Sequence, residues 1–209
     1  MLFSTILVGQ TVTNQTNPEM VVTLKENKNG VLRIRTELKP FTQDTVLIYL
    51  EETVGDSVIH LQTIESAYSF PLEITQNSIN NQAGILVKYD LAARNGNQFL
   101  FLLSEETNKL RPVLGFWNLG IIQSIEYSGN TYNYSYTSCG CADSCWQSVL
   151  FEIQDFILIQ QSTLACDCEN LIRTSGSKDK EFLSKCQEFN SSEKFEKIEN
   201  YWLRFLKDR

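Results

Sequence analysis

The sequence is poor in the side chains that most chemistry needs. Its 209 residues contain one histidine, His60, inside the strand-like run "SVIHLQTI". A lone strand histidine is more often structural than a general base, which needs a positioned partner. No G-x-S-x-G, phosphate-binding loop, dinucleotide fingerprint or H-E-x-x-H occurs. Those spacings position a nucleophile, a phosphate or a zinc ion, so their absence points away from an enzyme. The neighbouring carboxylates Glu51/Glu52 and Glu105/Glu106 fall at strand ends, where solvated turns place acids anyway. Nothing selects either pair as a glycosidase couple.

Positive charge is also scarce. There are 18 Lys and Arg against 25 Asp and Glu, a net charge of −7. With no basic stripe, nucleic-acid readout and binding to an anionic membrane are both disfavoured. The charge is uneven: residues 1–137 carry 9 cations against 13 acids, residues 138–177 carry 1 against 5, and the rest carry 8 against 7. No apolar run reaches the ~20 residues of a membrane helix. The opening "MLFSTILVGQTV" lacks a basic flank and is broken by Ser4 and Thr5, so it reads as a buried strand rather than a targeting segment. Six cysteines in a chain with no export signal are expected to be mostly reduced thiols.

What is present is periodicity. Residues 1–137 read as a succession of short strands separated by "NKNG", "VGD", "RNGN" and similar turns. In one of them Val31, Arg33 and Arg35 alternate with Leu32, Ile34 and Thr36, the period of two of a strand. An antiparallel β-sandwich or barrel follows for residues 1–137. Its clearest pair is "IIQSIEY" and "TYNYSYT" joined through "SGN", a hairpin that lines Tyr132, Tyr134 and Tyr136 along one face. These tyrosines are expected to be a half-buried ladder, with a sugar-stacking platform as the sharper alternative.

From Asp143 the apolar positions Trp146, Val149, Leu150, Ile153, Ile157 and Leu164 fit a repeat of 3.6, which predicts a helix of roughly 30 residues capped by Asp143. A return arm begins near Ser177 with Phe182, Cys186 and Phe189 inward, and a last helix covers roughly Ser191–Lys207 with Asn190 as its N-cap. The expected fold class is therefore α+β, with a helical hairpin over 138–209. The stretch 149–159 is apolar on almost every side, wider than the stripe one partner can cover. Sister subunits are expected to shield it through Phe151, Phe156, Leu158 and Ile159, making the chain a homo-oligomer.

The cysteines follow C-x-C-x3-C (Cys139, Cys141, Cys145) and C-x-C-x17-C (Cys166, Cys168, Cys186). On one continuous helix Cys145 and Cys166 would lie roughly 30 Å apart, so the triplets cannot share a metal ion. Cys139, Cys141 and Cys145 at a helix start favour thiolate and hold three of zinc's four ligands, with Asp143 or a second chain as the fourth. Cys168 and Cys186 face each other across the hairpin, as packed thiols or, in an oxidising medium, as a disulfide.

The pieces "CGCADSCWQSVLFEIQDFILI", "LACDCENLI" and "FLSKCQEF" resemble the cysteine-sprinkled helical hairpin that ends small structural virion proteins of crAss-like phages infecting Bacteroides. The resemblance covers about a third of the chain. It implies a neck, ring or tail component of a virion, assembled in the host cytoplasm around the portal axis beside other ring and tail subunits. It carries over no catalytic residue. Two other classes stay open: a β-sandwich that binds a glycan or receptor through the tyrosines or Trp117, and a thiol or zinc protein.

Overall fold

Strict alternation builds the first sheet. In the computed structural model, which describes residues 20–28, 30–39, 45–66, 72–89, 97–138, 145–167, 169–175, 179–189 and 193–209, strands β1 (Val21–Asn27), β2 (Gly30–Leu38), β3 (Val46–Val54) and β4 (Ser57–Glu65) form an antiparallel meander. Strands β5 (Leu72–Ile79), β6 (Gln82–Tyr89), β7 (Asn97–Ser104) and β8 (Lys109–Pro112) form a second. Ile34, Ile48 and Leu50 from the first sheet meet Ile74, Ile85, Val87 and Leu110 from the second in one core. Each such side chain contributes about 1.5–3 kcal/mol by leaving water. As the alternation predicts, Arg33 and Arg35 lie on the opposite face, where both bond to Glu51.

Two glutamines close this sandwich at its sides. The Gln62 carboxamide on β4 donates to Leu110 O at 3.0 Å and accepts from Leu110 N at 2.8 Å. It thereby takes the place of a neighbouring strand on the outer edge of β8, which would otherwise invite pairing by another chain. Gln76 on β5 donates to Leu24 O of β1 at 3.2 Å on the other side. Gln62→Ala is expected to cost about 1–3 kcal/mol, because it leaves two part-buried backbone groups unsatisfied. Urea unfolding measures it, and a change below about 0.5 kcal/mol would show that the pair contributes nothing.

The chain divides into two compact units, Met1–Leu91 with Phe99–Pro112, and Ala92–Gln98 with Val113–Arg209. The second unit is where expectation and structure part. Its six-stranded antiparallel sheet runs in the order β14 (Asp179–Lys185), β13 (Asn170–Ser175), β12 (Ile157–Asp167), β11 (Cys145–Gln154), β10 (Asn130–Ser138), β9 (Ile121–Tyr127). The α+β arrangement with a C-terminal helical hairpin is thus corrected to three antiparallel sheets. Among the described residues the only α-helix is α1 (Lys194–Lys207), and a short 3-10 turn covers Cys186–Phe189. The boundary after Thr137 falls inside β10. The early strand at Leu2–Val8 and the caps Asp143 and Asn190 lie outside the described residues.

The error has a physical origin. The wrap over 149–159 is a hairpin turning at Asp155 and Phe156, both with left-handed backbone (φ 50° and 64°). Tight hairpin turns want positive φ at both central residues and normally advertise it with Asn-Gly or Asp-Gly. Here the turn is held from outside: Leu114 N donates to Phe156 O and Leu158 N to Leu114 O, each at 2.8 Å. The apolar run is wide because Val149, Leu150 and Phe151 are all buried, so β11 is covered on both faces. Short apolar runs cannot separate a doubly covered strand from a buried helix.

Candidate functional site

The tyrosine face belongs to the core. The hairpin β9–β10 is present, turning through Ser128 and Gly129, and Tyr134 and Tyr136 are buried. α1 lies over them: Trp202 is fully buried and donates from Nε1 to Ser148 Oγ at 2.9 Å. Tyr136 meets Phe195 edge-on and accepts a hydrogen bond from Lys194 at 3.1 Å. Burial and the charge of Glu199 push the Tyr134 hydroxyl up to about 12. Rings packed this way have no free face for a sugar, so the stacking platform is lost. Trp117 remains about half exposed.

The cysteines are arranged by strand register. Cys168 and Cys186 were expected to face each other, as packed thiols or, in an oxidising medium, as a disulfide; Cys186 is instead bonded to Cys166, with Cα atoms 5.7 Å apart. Both sulfurs sit in the apolar core beside Trp146, Leu171 and Phe189. Without a helical hairpin, the turn geometry that selected Cys168 does not exist. Cys166 instead pairs with Leu171 across β12–β13, which directs it toward the end of β14. Cys168, like Cys139 and Cys141 of the proposed zinc set, lies outside the described residues. Cys145 is half-buried on β11 opposite Asp167, at the start of a strand and not of a helix. The dipole that was to favour its thiolate is therefore absent. Among the described residues, no three His, Cys, Asp or Glu side chains gather to hold a metal ion.

The four interface candidates separate. Phe151 is fully buried, and Phe156 and Leu158 are half-buried in and beside the turn. Ile159 is partly exposed, but its neighbour Ile157, at 49% exposure, is the stronger surface residue. Leu114, at 61%, pairs with Ile157 in a parallel bridge. Paired residues and positions two apart share a face, so Leu114, Ile157 and Ile159 form one apolar patch at the hairpin end. Leu114 belongs to the part of the chain read as short strands. It stands instead in an irregular segment shaped by Gln98, whose N donates to Asn118 Oδ1 at 2.8 Å and whose Oε1 accepts from Gly120 N at 3.0 Å.

A second apolar tip ends β3–β4. There Val54, Val58 and Ile59 are each between 41% and 52% exposed around the Gly55–Asp56 turn. Phe182, expected inward, is among the most exposed apolar residues, on edge strand β14.

Charged groups satisfy one another. Glu51, nearly buried, takes Arg33 at 3.2 Å and Arg35 at 3.0 Å, while Arg35 stacks 4.2 Å over Tyr49. Neighbouring strand residues face opposite ways, so Glu51 and Glu52 are not a catalytic couple. His60 sits edge-on to Tyr49 and hydrogen-bonds Thr63 at 3.1 Å. Among the described residues, exposed apolar side chains gather at the ends of β3–β4 and β11–β12. Compared with protein-family models, with curated proteins and with solved structures, the chain matches none.

Proposed function

We propose that this protein is a non-enzymatic assembly subunit, a component of a larger particle of the kind from which phage necks, rings and tails are built. The observation that carries the reading is the patch of Leu114, Ile157 and Ile159, apolar side chains held on a rigid hairpin end with water on them. Singly exposed apolar residues are ordinary, but a contiguous set on a fixed backbone marks a contact surface. The helical hairpin that suggested virion proteins of crAss-like phages is no longer part of the support, because those residues form strands. What remains in favour is two mainly β units joined in one chain, the uncovered tips, and an acidic net charge unsuited to nucleic acid.

Replacing both Leu114 and Ile157 with Glu tests the patch. The double variant is expected to stay folded, since both side chains are exposed, and to associate at least about tenfold more weakly than the parent. Light scattering that shows the same assembled mass for both proteins would remove the patch from the account.

A further inference from the structure

The C-terminal end of α1 is flanked by two clefts. One, of about 460 Å³, lies between Tyr127, Leu203, Arg204 and Lys207. The other, of about 290 Å³, has Leu171, Leu183, Phe189 and Phe205 as its apolar lining and Arg173 and Arg204 among its polar groups. Arg204 belongs to both. Arg173 is bonded to Glu181, but among the described residues neither Arg204 nor Lys207 meets a carboxylate. Asp208 also lines the second cleft, so with Arg173 paired the free charge around the two clefts is Arg204 and Lys207 against one carboxylate. Beyond residue 177 the chain carries 8 cations against 7 acids, whereas acids outnumber cations in residues 1–137 and 138–177.

The complementary surface is in the same sequence. From Pro40 to Val87 there is no Lys or Arg, against six acids. The middle of that stretch is the β3–β4 tip, with exposed Val54, Val58 and Ile59 around exposed Asp56. Glu51, Glu65 and Glu73 are taken up by ion pairs within the chain. The apolar hairpin end therefore carries Asp56 as its exposed acid, and it fits apolar clefts edged by Arg204 and Lys207 in both charge and polarity. The volumes accommodate two or three aliphatic side chains, on the order of 100 Å³ apiece at interior packing density.

We infer that the β3–β4 tip of one molecule docks into the α1 clefts of a second copy of this chain. The inference rests on the assembly reading and names one contact within it. Because the two surfaces differ, the contact is head-to-tail, and repetition closes a ring or extends a filament.

Charge reversal tests it on the full chain. The first variant is Arg204→Glu with Lys207→Glu, and the second is Asp56→Lys. All three side chains are exposed, so both variants should melt within a few degrees of the parent. Sedimentation velocity is expected to show each alone associating at least about tenfold more weakly. Mixed in equal amounts they should recover association, because the first variant presents acid on both surfaces and the second presents base on both, so every contact between unlike variants pairs opposite charges. A parent that associates while both variants keep its affinity would overturn this contact and leave the assembly reading standing. A mixture no stronger than either variant alone would overturn it too. A parent that stays at 24.0 kDa throughout would overturn both.

Discussion

Trp202→Ala is expected to remove about 3–5 kcal/mol from the second unit, the usual range for emptying a buried tryptophan site. Trp202 is fully buried in the cluster that joins α1 to the sheet, beside Tyr134, Trp146, Leu150 and Leu164. It is also the only described partner that donates to buried Ser148. The milder Trp202→Phe keeps most of the ring but leaves that hydroxyl unsatisfied, for about 1–3 kcal/mol. A urea titration followed by fluorescence reports both, since Trp146 stays in the same core as the probe. The expected order is parent, then Phe, then Ala. If Ala cost less than about 1 kcal/mol, α1 would not be packed on this sheet.

The second large effect belongs to the disulfide. Cys166 and Cys186 are 20 residues apart, and closing a loop of that size restricts the unfolded chain by about 3 kcal/mol in the loop-entropy model. The loop contains β13 and β14, the last two strands of the six-stranded sheet. Cys166→Ser is therefore expected to lower stability by about 3 kcal/mol against the oxidised parent, and reductant should have no effect on the variant. Both cysteines are 1% exposed, so the parent should resist reductant until it opens. Equal urea midpoints for parent and variant under oxidising conditions would show that the bond is not formed.

The bond also bears on where the chain folds. Reduced thiols were expected when the opening was read as a buried strand, whereas Cys166 and Cys186 are bonded, and a buried disulfide forms while its surroundings can still be reached by oxidant.

How much of this was readable from residues alone varies along the chain. Where one face meets the core and the other meets water, side chains alternate and the reading works. β2 is visible in Val31–Leu38 and β10 in the three tyrosines. α1 was also visible, since Ile198, Trp202 and Leu206 recur at helical spacing and are buried. β11 failed because burial on both faces erases alternation. β12, which buries only the face of Ser162, Leu164 and Cys166, failed because the consecutive Ile157, Leu158 and Ile159 hide that alternation. Leu150 packs toward α1, Phe151 on the other side is equally buried, and a residual 3.6-residue spacing wins by default. The bulge between Leu150 and Phe151 shifts the register as well. One signal did favour strands: Val149, Ile153, Ile157, Ile159 and Thr163 are β-branched, and such residues fit a pleated surface better than a helix.

The exposed apolar tips were half legible. The region 149–159 was singled out for its apolar excess, and that excess does reach the surface, at Ile157 and Ile159. Phe151 was misplaced for the same reason that the helix was. Leu114 carried no signal of its own, because its place depends on backbone bonds to Phe156 and Leu158, more than forty positions away.

Self-association is most directly read from the native mass of the intact chain across a hundredfold range of concentration. Species at multiples of 24.0 kDa, growing with concentration, are what uncovered hairpin ends require. A single species at 24.0 kDa over the whole range would mean that these ends bind no second copy, and the proposal would fall.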